Sequence, residues 1–239
     1  VLSDGSLTAE GRDAFIKLAE RYGQRVSFYT VPEIQPDVLA NVRAVFGVGS
    51  LFRLFIPELV YASRVIYLDC DTICNLDMDE FFSLIPDEVV FAGVGDIGIS
   101  RRKEQRERLS AMRISVDRYI NAGVLYMNLD MIRSKFPDFG ATVFGYIAES
   151  RLPYMDQDAL NMFFQYNDAP LILLPDRYNF LVGGTDRPFL PGGEYEGKIL
   201  HFARDKPWKA LYPAAMWYWK YFSVCLGPEV AFDRMCMLG

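Results

Sequence analysis

The sequence predicts an α/β fold built on a largely parallel central sheet. Segments of strand character alternate with segments of helical periodicity along the chain. One strand segment, RVIYLDCD (64–71), is too apolar to alternate, as expected of a strand covered on both faces. Hydrophobic residues make up 51% of the 239 positions and aromatics 15%, enough for a sizeable core.

The elements follow in order. VLSDGSLT (1–8) reads as the end of a strand, and TAEGRDAFIKLAERY (8–22) as a helix. Thr8 can cap that helix, Glu10 and Asp13 suit its positive end, and Phe15, Leu18 and Ala19 fall on one face. RVSFYTV (25–31) is a strand, and 50–61 a helix with Ser50 as its cap. After the strand at 64–71 come a short helix at 78–85 and a strand at 88–96. RRKEQRERLSAMR (101–113) reads as a solvated loop, since a helix there lacks an apolar face to bury. NAGVLYMNLDMIR (121–133) is a turn and strand running into a helix, followed by helices at 138–150 and 156–166. LILLP (171–175) and KILHF (198–202) are strands, and 214–224 is a C-terminal helix whose aromatics suit core packing. Without repeats, low complexity or a linker, residues 1–239 read as a single domain.

The net charge of −6 argues against nonspecific nucleic-acid binding, which needs a cationic surface. Cys70, Cys74, Cys225 and Cys236 form neither a CxxC pair nor a disulfide framework. They suit a reducing compartment, so a cytoplasmic location is expected, with at most peripheral contact at the inner face of the membrane. Cys70 and Cys74 read as small apolar fillers. No run of about 18 apolar residues marks a membrane span, and no signal peptide is visible. The chain opens without methionine, and an upstream segment is expected.

Several residues carry chemistry. Asp69 and Asp71, one residue apart at the carboxyl end of a strand, point the same way on an extended chain. Ligands of an open parallel sheet bind at that edge. Two carboxylates side by side repel unless a cation lies between them, and hard oxygen ligands suit Mg²⁺ or Mn²⁺. A capped turn is the structural alternative. His201, the one histidine, ends another strand, and imidazole suits Mn²⁺ beside carboxylates; Lys206 follows within reach of a phosphate. Asp156, Gln157 and Asp158 precede an apolar helix, either as caps or as groups that hold sugar hydroxyls. Gly93, Gly95 and Gly98 match the GxGxxG dinucleotide fingerprint, but the charged segment after them is a poor helix for that motif.

In this order YLDCDTI (67–73), NAGVLYMNLD (121–130), YMDQDALN (154–161), LPDRYNF (174–180) and HFARDKPW (201–208) resemble glycosyltransferase family 8. That family includes bacterial lipopolysaccharide galactosyl- and glucosyltransferases and glycogenin. The resemblance covers about 1–225. It implies a Rossmann-like glycosyltransferase type A (GT-A) fold and transfer of galactose or glucose from a UDP-sugar, with retention, to a glycan or lipid-linked glycan acceptor. It further implies Mn²⁺, with Mg²⁺ as the alternative, held by Asp69, Asp71 and His201, and the diphosphate on Lys206. Arg53, Asp96, Asn121 and Ala122 fall at the donor sugar. Asp156 holds sugar hydroxyls, and Gln157 lies near the anomeric carbon.

Three departures stand out. Leu51 replaces a tyrosine two residues before Arg53. Ala203 and Arg204 replace a glycine between His201 and Lys206, in a spacing one residue shorter. The family's opening strand and helix, about 30 residues that hold uracil and ribose, align upstream of Val1. Two other readings stand beside the transferase: a non-catalytic remnant of the same fold, and a nicotinamide oxidoreductase using Gly93 to Gly98.

Overall fold

The computed structural model describes residues 1–42, 47–182 and 195–237. The first elements are β1 (Leu2–Ser3), α1 (Ala9–Arg21), β2 (Tyr29–Thr30) and α2 (Pro36–Ala40). A 3-10 stretch (Val48–Phe55) leads into α3 (Ile56–Leu59), then β3 (Arg64–Leu68), β4 (Thr72–Asn75) and α4 (Met78–Ser83). Next come β5 (Phe91–Gly95), α5 (Ile97–Ser100), α6 (Lys103–Ala111), β6 (Ile120–Asn128), α7 (Leu129–Lys135), α8 (Phe139–Glu149) and α9 (Met155–Tyr166). The chain continues through β7 (Leu171–Leu173), a 3-10 turn (Asp176–Asn179), β8 (Phe180–Leu181), β9 (Lys198–His201), α10 (Ala215–Leu226) and α11 (Pro228–Cys236).

The α/β alternation read from the sequence is present, but the sheets are mixed. β3-β6-β5-β7 form one sheet, with β5 and β7 parallel. β4-β9-β8 form another, in which β4 is antiparallel to β9 and β8 parallel to it. β1 and β2 pair in parallel over two residues each, so RVSFYTV holds much less strand than expected.

The chain separates into two units, residues 1–65 with 127–170 and residues 66–126 with 171–239. In the first unit, Leu51, Leu54, Phe55 and Ile56 are buried, as are Phe139, Val143 and Ile147 of α8 and Ala159, Leu160 and Phe163 of α9. The Phe139 and Phe163 rings meet edge-on with centroids 4.9 Å apart. The segment expected as one helix over 50–61 is instead 3-10 up to Phe55 and α-helical only to Leu59. Pro57 explains this: it has no N–H to give the Arg53 carbonyl, so it starts a new helical turn. Ser50 lies inside the 3-10 stretch rather than capping it. After α3, Arg133 donates to the carbonyls of Pro57 (2.9 Å), Val60 (2.5 Å) and Ala62 (3.2 Å). This satisfies acceptors that a helix end leaves open. Thr8 caps α1 as expected by accepting from the Gly11 N–H at 3.1 Å, yet α1 buries no residue.

In the second unit, Ala92 and Val94 of β5 and Val124 and Tyr126 of β6 enter a core with Phe81, Ile85, Tyr178 and Ile199. The spacing of two within each strand is the pleat's alternation. β3 is half-buried, not covered on both faces, and stops at Leu68, leaving Asp69, Cys70 and Asp71 in a turn before β4. Cys70 and Cys74 are exposed and do not fill the core. Tyr218, Trp219 and Phe222 of α10 stack on one another, with Trp219 buried.

The charged segment expected as a loop is the helix α6. Local polar bonds hold it: Arg102 donates to the Gly98 carbonyl at 2.6 Å, and Arg108 to Gln105 at 2.9 Å. Leu109 is its one buried residue. Leu109→Ala is therefore expected to cost about 2–4 kcal/mol in urea unfolding, while Glu104→Ala on the same helix stays within about 0.5 kcal/mol. Equal losses for the two would show that Leu109 does not anchor the helix.

Candidate metal centre

The register between β4 and β9 builds the centre. Thr72 lies opposite His201, and the ladder continues to Asn75 opposite Lys198. Beyond its end, Phe202 N–H donates to the Asp71 carbonyl at 2.9 Å. The turn holding the two aspartates is fastened on both sides. Asp69 N–H donates to the Gly123 carbonyl at 2.8 Å, and Thr72 returns its N–H (3.1 Å) and hydroxyl (2.8 Å) to the Asp69 carbonyl. His201 Nε2 then sits 3.4 Å from Asp71 Oδ1 and 3.7 Å from Asp69 Oδ2. Asp69, Asp71 and His201 each offer one ligand atom, and these lie within 4.8 Å of one another. Two carboxylate oxygens and an imidazole nitrogen are a donor set for a hard or borderline divalent cation such as Mn²⁺.

Positive charge also gathers here. Lys206 Nζ pairs with Asp71 Oδ2 and donates to the carbonyls of Phe202 (2.9 Å) and Ala203 (3.2 Å). Burial alone would raise the Asp71 carboxyl. The His201 hydrogen bond and charge, then Lys206, outweigh it and hold the group at about 2. Tyr67 donates its hydroxyl to Asp69 Oδ1 at 2.7 Å.

A polar string lies beside the carboxylates. Asp96 caps α5, accepting from Ile99 N–H at 2.9 Å, and its other oxygen accepts from Asn121 Nδ2 at 3.1 Å. Asn121 Oδ1 accepts from Gly123 N–H (3.0 Å) and from Asn179 Nδ2 (2.8 Å). Asn179 Oδ1 meets His201 Nδ1 at 2.8 Å. Asn121, Ala122 and Gly123 lie within β6, not in the turn expected ahead of it. Gly123 is there because nothing larger fits. A Cβ at this position would stand 2.1 Å from His201 Cε1 and 2.8 Å from Asp69 Oδ2.

The structure thus brings together, in the second unit, Asp69, Asp71, Asp96, Asn121, His201 and Lys206, with Ala122 buried next to Asn121. Arg53, Asp156 and Gln157 belong to the first unit. There the Arg53 and Asp156 side chains are buried as an ion pair at 3.2 Å, with Arg53 Nε also donating to the Ser50 carbonyl at 2.9 Å. Asp156 and Asp158 lie inside the first turn of α9, and the buried Asp158 accepts from Tyr154 N–H at 3.0 Å. That carboxylate serves the helix start, while Asp156 is committed to Arg53. Met155, just before Asp156, is buried in the left-handed region at φ 39°. Gln157 is half-buried.

Sequence reasoning missed Asn179 and took Gly123 as part of a turn. Asn179 sat inside a quoted motif, LPDRYNF, with no pattern of its own to single it out. The dinucleotide motif dissolves. α5 has only four residues, too short to offer an anion a helix end, and a Cβ on Gly93 would strike Ile120 Cδ1 at 2.6 Å, which makes that glycine a packing requirement.

The sequence model described as Glycosyl transferase family 8 matches residues 1–211. Among curated relatives, the lipopolysaccharide 1,2-glucosyltransferase of Escherichia coli K12 is 25% identical over 88% of this chain and 63% of its own length. General stress protein A of Bacillus subtilis 168 is 27% identical over 68% of this chain and 59% of its own. A probable glycosyl transferase, Gly, of Streptococcus gordonii aligns over 26% of its length, so the chain spans between about a quarter and two thirds of these relatives. Among solved structures, the WbbM bifunctional glycosyltransferase superposes with a TM-score of 0.72 at 20% identity, covering 96% of this chain and 44% of that one. The galactosyltransferase LgtC, solved with donor and acceptor sugar analogs, gives 0.65 at 19%, covering 95% and 80%. These likenesses fix the fold as GT-A.

Gly123→Ala is expected to weaken Mn²⁺ binding at least tenfold in a calorimetric titration, because the new methyl displaces two of the three candidate ligands. Gly93→Ala, whose new methyl presses on Ile120 and on none of the candidate ligands, should leave Mn²⁺ affinity within about twofold. Full Mn²⁺ affinity in Gly123→Ala would mean the cation binds elsewhere.

Proposed function

Because this chain belongs to glycosyltransferase family 8, we propose that it is a retaining hexosyltransferase that moves galactose or glucose from a UDP-sugar to a glycan acceptor. The observation that carries this reading is the Asp69–Asp71–His201 cluster with Lys206 on its border. The name of the E. coli lipopolysaccharide 1,2-glucosyltransferase supports a lipopolysaccharide or cell-surface glycan as the acceptor, and the donor and acceptor sugar analogs held by LgtC support a sugar at both ends of the transfer. No helix among the described residues is long and apolar enough to cross a membrane. The reading takes the cytoplasm as the location, with at most peripheral contact at the inner face of the cell membrane.

A bound Mn²⁺, or Mg²⁺ in its place, supplies Lewis-acid neutralisation of charge developing on the departing diphosphate. Asp69, Asp71 and His201 hold it, with the imidazole giving Nε2. Lys206 adds a second positive charge on the leaving group, where a fixed cation lowers the barrier most. Arg204, in place of the family's glycine, stands exposed on the same loop and adds to that charge. Asp96 and Asn121 are each hydrogen-bonded at both ends of the side chain, which holds them in fixed orientation for positioning sugar hydroxyls. Ala122 gives the donor sugar a small neighbour. Arg53, Asp156 and Gln157 keep the roles that the family resemblance implies at the donor sugar. Gln157 is a neutral amide and a weak nucleophile. The acceptor hydroxyl therefore attacks on the face that UDP leaves, through a short-lived oxocarbenium-like species, and passes its proton to the departing diphosphate oxygen. A glycosyl adduct trapped on Asp156 or Asp96 would replace this route with a covalent one.

UDP titrated calorimetrically into the chain should bind in the presence of Mn²⁺ and not in its absence. Asp71→Ala should abolish binding, and Lys206→Ala should weaken it about tenfold or more, as loss of a charged hydrogen bond does. Binding that ignores both the metal and Asp71 would defeat the proposal.

A further inference from the structure

The polarity of the hydrogen-bonded string beside the carboxylates starts at a group that cannot be reversed. A backbone N–H only donates. Gly123 N–H donates to Asn121 Oδ1 at 3.0 Å, which fixes that atom as the oxygen. The other end of the same amide agrees, since Asn121 Nδ2 faces Asp96 Oδ2, a carboxylate oxygen, at 3.1 Å. Asn121 Oδ1 can only accept, so the Asn179 atom 2.8 Å away is its nitrogen. Asn179 must then turn its oxygen to His201 Nδ1 at 2.8 Å. An amide oxygen only accepts, so Nδ1 carries a proton, and whenever the ring is neutral it is the Nε2 lone pair that faces Asp71 and Asp69. Reversing either amide would set oxygen against oxygen at one junction. Asn121, Asn179 and His201 are all buried, which limits competition from water for these bonds.

We propose that Asn179 is a positioning residue that fixes the tautomer of His201, with the Gly123 N–H, relayed through Asn121, as the source of its orientation. The proposal rests on the reading of Asp69, Asp71 and His201 as metal ligands. The hydrogen bond made by the far nitrogen decides which nitrogen of a ligating imidazole is free, and removing such a partner weakens metal binding about 10- to 100-fold. A structural asparagine would stabilise the fold without choosing between the two ring nitrogens.

His201 is the only histidine, so its ring gives a single imidazole spin system with nothing to assign. The first experiment is a long-range ¹H–¹⁵N correlation on the metal-free chain, in buffer alkaline enough to leave the ring neutral. The wild type is expected to show Nδ1 protonated and Nε2 pyridine-like. Asn179→Asp gives up the bond to Asn121 Oδ1 but keeps an oxygen toward Nδ1, so it should retain that pattern, and Asn179→Ala should lose it to a mixture. A proton on Nε2 in the wild type overturns the proposal, and so does a wild-type pattern in Asn179→Ala. If the alanine variant does not fold, the wild type and Asn179→Asp decide, and an altered tautomer in Asn179→Asp counts against it. Mn²⁺ is then added. Broadening of the ring signals should need about 10- to 100-fold more Mn²⁺ in Asn179→Ala than in the wild type; equal requirements with a changed tautomer overturn the positioning role. Ring signals untouched by Mn²⁺ in the wild type sink the metal reading itself, while the metal-free spectra still decide what Asn179 does.

Discussion

The repulsion between Asp69 and Asp71 is the constraint around which the second unit is arranged. Both carboxylates belong to one turn and come within reach of the same imidazole nitrogen. A chain gains nothing by holding two anions together unless other groups offset their charge. Each neighbouring element contributes one. β3 supplies the Tyr67 hydroxyl, β9 supplies His201, and the loop after β9 turns Lys206 back onto Asp71. β6 contributes by omission, since only a glycine at 123 leaves room for the ring and the carboxylate together. The packed core of Val124, Tyr126, Ile199 and Tyr178 fixes the strands from which these groups project. Precision at the centre is thus inherited from packing and not from the turn alone.

The first unit shows the same economy in a different form. Arg53 and Asp156 are buried together, and removing either partner alone would leave a buried charge without its counter-ion. Arg53 sits there because Pro57 breaks the helix and leaves a 3-10 stretch that turns the guanidinium toward Ser50 and Asp156. The left-handed Met155 sets the chain direction just before the acidic pair, and such strain persists only where the surroundings enforce it.

Much of this was legible in the sequence. Asp69 and Asp71 announce themselves as charges at the end of an apolar run, and His201 as the one imidazole at the end of another. What stayed hidden depends on contacts between distant segments. β4 is a four-residue strand whose partner, β9, comes far later in the chain, so no local pattern reveals it. Asn179 gains meaning only when His201 and Asn121 flank it. Gly123 looks like a turn residue because glycine favours turns, whereas its actual reason is the ring opposite. The segment 101–113 was misread because a helix was expected to need an apolar face. α6 instead satisfies itself with its own side chains and a single buried leucine.

The pairing of Lys206 with Asp71 joins residues 135 positions apart. Closing so long a loop costs chain entropy before the contact repays it. On the ribosome, the two aspartates emerge well before the histidine and the lysine exist. For that interval they are an exposed pair of like charges with no reason to stay together. A nascent or C-terminally shortened chain therefore has the turn but not the trap. The candidate site is complete only once β9 has docked against β4.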